Sequence, residues 1–320
     1  MSSTAIVECV PNFSEGVSTA RVKGIIAAMA VDGVSLLDFS LDRDHNRSVV
    51  TIAGSPEAVV ESAIRGAGKA AELIDLTSQS GVHPRIGAAD VIPFVPVSGI
   101  SVAECALLAR QAGIGIWRRF GVPVYFYGAA AVRPDRVELE NLRKGQFEGL
   151  RDAVLRDTAR RPDVGGPELH ATAGASAVGA RSFLIAYNVY LGPRAGAMPS
   201  LDRPGPDISV ARAVARDLRA SSGGLLGVKA LGLLVDGRAQ VSINITDFRQ
   251  TPVSRVFSAV SQLASRHGAS ILEGELIGLV PEAALDGASA WIDGIPGFDP
   301  AAKVLERRLA TPLAWPSLLR

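Results

Sequence analysis

Residues 33–73 read GVSLLDFSLDRDHNRSVVTIAGSPEAVVESAIRGAGKAAEL. GVSLLDF and RSVVTIA are apolar, β-prone runs, and the polar stretch SLDRDHN between them predicts a loop joining two strands. Ser55-Pro56-Glu57 then predicts a helix start, with serine as N-cap and proline at the first helical position, and the apolar spacing continues to about Leu73. Upstream, AIVECV (5–10) predicts a strand that Pro11 and the loop NFSEG terminate, followed by a helical pattern from about Thr19 to Ala30. Downstream, VIPFVPV (91–97) predicts a strand whose two prolines favour a sheet edge. A capping box from Ser101 to Glu104 opens a helix over about 102–119, and VPVYFYG closes the half as a further strand. The first six elements follow the order strand, helix, strand, strand, helix, strand, which is that of the split βαβ unit.

The second half repeats the order. FLIAYNVYL (183–191) predicts a strand, ISVARAVARDLRASS a helix, VKALGLLV and AQVSINIT two strands joined at Asp236-Gly237, SRVFSAVSQLASRHG a helix and SILEGELIGLV a strand. The expected fold class is therefore α/β (α+β): two related subdomains, each a ferredoxin-like βαββαβ sheet with helices on one face and a ligand cleft between them. Residues 1–179 and 180–320 are the expected subdomains. Residues 134–182 read as helical and then loop-like, through PDVGGP and the small-residue stretch ATAGASAVGA. Such glycine density suits either a flexible linker or a wall where backbone amides approach a ligand. LDRPGPD (201–207) reads as a surface turn.

Composition narrows the function. The chain has 320 residues, 48% hydrophobic and 20% charged, the balance of a globular protein of about two domains. Lys plus Arg (33) nearly equal Asp plus Glu (32) and are scattered, which argues against a nucleic-acid partner. No uncharged apolar run approaches the ~20 residues of a membrane helix, and MSSTAIVECV lacks a signal peptide's basic start. Cys9 and Cys105 show no metal-ligand spacing, and two thiols in so long a chain suit a reducing, cytoplasmic compartment. Walker, Rossmann, HExxH and CxxC patterns are absent.

GVHPRIGAADVIPF places His83, Arg85 and Asp90 on a proline- and glycine-shaped loop ahead of a strand. Loops held by rigid elements concentrate catalytic groups, and imidazole titrates near neutrality, so His83 is a candidate general base and acid. Arg47 and Arg85 are candidates for bidentate contacts to substrate carboxylates, with ordinary ion pairing as the alternative. Asp38, Asp42, Asp44 and Asp90 could orient a histidine or offset a cationic intermediate, although aspartates near turns are commonly caps. Among these Asp90 ranks first. His267 fits the end of a helix, His45 a solvated polar turn, and His170 lies in the glycine-rich segment with either role open.

Taken in order, VECVPNFSEG, DHNRSVVTIAG, GVHPRIGAADVIPFVPV, VPVYFYG, TAGASAVGARSFLIAYNVYL, VSINITDF and LIGLVP make the chain resemble the glutamate formiminotransferase family, the N-terminal portion of formiminotransferase-cyclodeaminase. The resemblance implies transfer of a formimino group from N-formimino-L-glutamate to tetrahydrofolate as co-substrate, in histidine degradation and one-carbon metabolism, by a homodimer that needs no metal. It implies His83 as the catalytic histidine and Gly165, Gly166, Pro167, Glu168, Leu169, His170, Ala171, Thr172, Ala173 and Gly174 as the folate-contacting segment. LLDFS departs from the LLDVD of the family's vertebrate-type members, so Ser40 stands where an acidic residue is expected, and Asp42 or Asp44 could substitute from the same loop. With no cyclodeaminase segment in these residues, a separate protein would process the product. Alternative readings are a formyltransferase or formiminoglutamate hydrolase on the same fold, or a non-catalytic folate-binding protein.

Overall fold

The structure, a computed structural model, describes residues 5–81, 83–193, 207–285 and 289–315. It divides into two compact units, Met1–Ser182 with Thr311–Arg320, and Phe183–Ala310. The last described residues, expected in the second subdomain, thus belong to the first: the Leu313 N–H donates to the Leu36 carbonyl at 2.8 Å.

The first unit runs β1 (Ile6–Cys9), β2 (Asn12–Phe13), α1 (Thr19–Ala28), β3 (Val34–Asp42), β4 (Arg47–Gly54), α2 (Pro56–Leu73), β5 (Ala89–Ser98), α3 (Val102–Phe120), β6 (Val124–Gly128), α4 (Leu139–Leu142), α5 (Gln146–Arg156) and β7 (Ser176–Ala180). The helix signals hold. Ser101 and Glu104 form the reciprocal capping box at the start of α3, and α2 buries Val59, Val60, Ala63, Ile64, Ala67 and Ala70 at helical spacing. These stripes meet Val7, Phe13, Ile52 and Phe94 of the sheet in one core, every one of the four fully buried.

Three expectations change. First, β3 continues through Ser40 and Asp42, so the connection to β4 is only the turn 43–46. Second, β5 is not an edge strand: it pairs with β1 and β2 on one side and, parallel, with β7 on the other. Its prolines fall where pairing is already interrupted. Pro93 accepts the Val10 N–H at the break between β1 and β2, and Pro96 lies at a register shift opposite Ile6 and Val7. Third, the small-residue stretch read as loop contains β7, which is buried throughout and bonded in parallel to β5 and β6. A parallel strand covered on both faces needs no alternation, so Ser-Ala-Val-Gly-Ala carries no strand signature.

The second unit runs β8 (Ile185–Pro193), α6 (Ile208–Leu218), β9 (Val228–Val235), β10 (Arg238–Ile245), α7 (Val253–Arg266) and β11 (Ala269–Ile277). Its antiparallel sheet has the order β11-β8-β10-β9. Asp236 and Gly237 turn the β9–β10 hairpin at φ 48° and 70°, the left-handed pair that the dipeptide predicts. Tyr187 and Trp291 pack edge to face in its core at 5.9 Å. The surface turn expected at 201–207 lies outside the described residues except for Asp207, which caps α6. Both units carry the expected βαββαβ order, and the first adds β2, β6 and β7 to it.

Candidate active site

The site forms around a fault in the first sheet. Asn12 pairs with Val91 and Phe13 with Ala89, so Asp90 is the extra residue of a β-bulge, a device that re-aims a side chain. Asp90 is fully buried. Its Oδ1 accepts the Ile86 N–H at 2.8 Å, and its Oδ2 accepts Arg47 Nη1 at 2.8 Å and also Arg143 Nη2. Arg47 opens β4, and its Nε donates to Asn12 Oδ1 at 3.0 Å. Arg143 follows α4 and was not a candidate from sequence: 53 positions separate it from Asp90, and no local pattern marks it. Two guanidiniums share one carboxylate, so Asp90 balances only one of their two charges.

His83 stands beside this group. Its Nδ1 is 2.8 Å from the Pro84 carbonyl oxygen and 3.2 Å from Arg47 Nη1. A carbonyl only accepts and a guanidinium only donates, so the two contacts cannot both be hydrogen bonds. The shorter one sets the tautomer: Nδ1–H donates to Pro84, and Nε2 keeps its lone pair. Burial, then Arg47 and Arg143, push the His83 pKa down to about 2, with Asp90 opposing. Burial alone would raise Asp90, but Arg143 and Arg47 hold it well below the usual carboxylate range. Burial and Arg143 lower Arg47 to about 10, against the pull of Asp90. At neutral pH the cluster is a neutral imidazole, one carboxylate and two guanidiniums.

Arg85, expected to bind substrate, is spent inside the protein. Its Nε donates to Gln79 Oε1, Nη1 to Glu148 and Gln146, and Nη2 to Glu148 and the carbonyls of Gln79 and Leu76. All five donors are engaged on a residue only 6% exposed, so Arg85 orders the His83 loop instead.

The segment Gly165 to Gly174 divides in two. Its end is laced to the His83 loop: Leu76 N–H donates to Thr172, Ala88 N–H to Ala173, and Ala175 N–H to Ile86. Gly174, at φ 69°, lies so close that a Cβ would stand 2.1 Å from the Ile86 oxygen. Gly165, Gly166, Pro167 and Glu168 are exposed, and Gly165 rests on the Trp117 indole. Leu169 is buried, Ala171 is exposed, and His170 accepts the Ala173 N–H through Nδ1 and lines a surface cavity with Lys69 and Phe120.

Ser40 pairs with Val49 and Asp42 with Arg47, so both lie on the strand face that carries Arg47. Asp44 sits in the turn beyond them. Asp42 Oδ2 meets His45 Nδ1 at 2.6 Å, and that bond holds the Asp42 carboxyl below its usual range despite burial. The structure thus brings His83, Arg47 and Asp90 into direct contact, adds Asn12 and Arg143, and sets Ser40 and Asp42 along the adjoining strand.

Among the described residues, no group of His, Cys, Asp and Glu could hold a metal ion, and no helix is long and apolar enough to cross a membrane. Residues 6–181 match the model of the formiminotransferase domain, N-terminal subdomain, and residues 207–296 that of the formiminotransferase domain. A glutamate formimidoyltransferase of Streptococcus pyogenes serotype M1 is 39% identical over 307 residues, covering 95% of this chain and 98% of that protein. One from Thermoplasma acidophilum is 41% identical over 310 residues, covering 95% and 97%. The formimidoyltransferase-cyclodeaminase of Mus musculus is 37% identical over 298 residues, which span 52% of its length. The match to a solved microcompartments protein from Desulfitobacterium hafniense DCB covers 88% of this chain and 99% of that one, at 14% identity and a TM-score of only 0.19.

Proposed function

The chain belongs to the formiminotransferase family, and on that premise we propose that it transfers the formimino group of N-formimino-L-glutamate to tetrahydrofolate, giving 5-formiminotetrahydrofolate and glutamate. The observation that carries this reading is the near full-length match to relatives named for that transferase.

The folate ring nitrogen attacks the amidine carbon, a tetrahedral intermediate forms, and it collapses with loss of glutamate. His83 is the base. Its Nε2 lone pair, fixed by the Nδ1–H bond to Pro84, supports removal of the proton from the attacking nitrogen. A resting imidazole held neutral by burial and two guanidiniums keeps Nε2 free of a proton throughout the physiological range. Bound substrate carboxylate would offset those guanidiniums and strengthen the base where it is used. Arg47 and Arg143 supply the carboxylate site, since the pair carries one charge that Asp90 does not balance. Asp90 positions both arginines. The segment Gly165 to Gly174 forms the folate wall, supported by its bonds to the His83 loop, so that folate contact and base are set by one piece of backbone.

The homodimer and the cytoplasmic address belong to the same proposal, and two buried free thiols, Cys9 and Cys105, suit the latter. The test is calorimetric titration of the purified protein with tetrahydrofolate, followed by formiminoglutamate with assay of free glutamate. Folate-dependent release supports the transferase. Release without folate points to a hydrolase, and folate binding without release to a non-catalytic binding protein.

A further inference from the structure

The turn between β3 and β4 carries a second imidazole, His45. Asp42 grips His45 twice: Oδ1 accepts its backbone N–H at 2.8 Å, and Oδ2 meets Nδ1 at 2.6 Å. An ionised carboxylate only accepts, so His45 Nδ1 carries a proton and Nε2 is the atom left to exchange one. The His45 side chain is 10% exposed, and its ring meets that of His83 edge-on, with centroids 6.0 Å apart and planes at 63°. Backbone packing fixes this approach. A Cβ on Gly81 would stand 2.5 Å from the His45 carbonyl oxygen, and Asn46 Nδ2 donates to the Ser80 carbonyl at 2.7 Å.

The charges beside the two rings differ in sign. Arg47 Nη1 stands 3.2 Å from His83 Nδ1, whereas the Asp42 carboxylate holds His45 Nδ1 at 2.6 Å. Imidazoles set beside opposite charges suit opposite halves of a proton transfer.

We propose that Asp42 and His45 form a second proton-transfer pair, His45 protonating the departing glutamate nitrogen while His83 deprotonates the attacking folate nitrogen. This rests on the transferase reading. The new N–C bond forms as the folate N–H bond breaks, with that proton passing to His83 Nε2. The old C–N bond breaks as the glutamate nitrogen takes the electron pair and the proton of His45 Nε2–H. One proton then passes from His83 to His45, across the ring contact or through solvent, and both return to their starting forms. His45 is the proton donor, and Asp42 is a positioning residue.

The experiment measures folate-dependent glutamate release by the full chain and by His45→Ala, His45→Gln and Asp42→Asn, with thermal unfolding to confirm that each is folded. His45→Ala is expected to lower kcat roughly 100-fold with both KM values little changed, and free imidazole in the buffer to restore part of the loss. His45→Gln keeps a donor for Asp42 and the wild-type unfolding temperature, yet shares the loss in kcat. Asp42→Asn loses less, again in kcat rather than KM. Wild-type kcat in His45→Ala, or full activity in His45→Gln, overturns the assignment. Absence of release by the wild-type chain overturns the transferase reading and this one with it.

Discussion

Replacing Asp90 with asparagine removes the one anion that two buried cations share while leaving the shape of the site almost unchanged. The carboxylate has no exposed surface, and the Arg47 and Arg143 side chains are only 11% and 15% exposed. The carboxamide of Asp90→Asn can still accept the Ile86 N–H, but it cannot balance either guanidinium. Breaking a buried ion pair by deleting one partner costs about 3–5 kcal/mol, because the stranded charge keeps its desolvation penalty. For a unit of this size, ~2–4 °C accompanies each kcal/mol, so the first unit's transition should fall by roughly 6–20 °C. The deficit should be constant between pH 5 and 8. Asp90 titrates below its unfolded value, so the stability it confers is complete above about pH 4 and is lost only as the pH falls through the lower folded value. Adding Arg143→Met to Asp90→Asn should recover about 1–3 kcal/mol, since one unpaired cation is gone. Calorimetric scans of the three proteins, wild type and the single and double variants, measure each quantity. A loss below about 1 kcal/mol in Asp90→Asn would refute the claim that this carboxylate holds the arginines in place.

Nitrogen-15 spectra at pH 7 should assign the His83 proton to Nδ1 and leave Nε2 bare; a proton on Nε2 would remove its role as base. The unfolded chain takes up a proton on this histidine near pH 6.5 that the folded chain refuses until about 2, so wild type should lose about 2 kcal/mol relative to His83→Asn between neutrality and pH 5. Arg85→Met should cost about 2–4 kcal/mol and lower kcat by loosening the His83 loop, with KM for formiminoglutamate nearly unchanged; a stable variant with a raised KM would return Arg85 to the substrate. Arg143→Ala should raise that KM at least ~10-fold, the value of one lost charge-assisted contact, and an unchanged KM would exclude it from the carboxylate site.

Most of the fold is legible in the sequence where its signals are local. Ser55-Pro56 and Ser101–Glu104 mark two helix starts to the residue, and Asp236-Gly237 marks a hairpin. β7 is not legible, because a buried parallel strand of small residues looks like a linker until its distant partners are known. The site divides in the same way. His83, Arg47 and Asp90 are recoverable from two short strings, and contact each other as one cluster. Arg143 reaches that cluster only through the folded chain. Arg85 misleads for the opposite reason: its charge is visible in the motif, but the acceptors that consume it come from residues 76, 79, 146 and 148.

The lacing of residues 172–175 onto Leu76 and the stretch 86–88 also sets a clock. During synthesis His83 leaves the ribosome some 90 residues before the segment that holds its loop, an interval of roughly 5–20 s at ordinary elongation rates. Through that interval the helices on either side can form from local contacts, whereas the parallel pairing of β5 with β7 must wait for loop closure. The nascent chain therefore carries His83 long before it carries the backbone that fixes the loop around it, and that loop is set by the arrival of a strand.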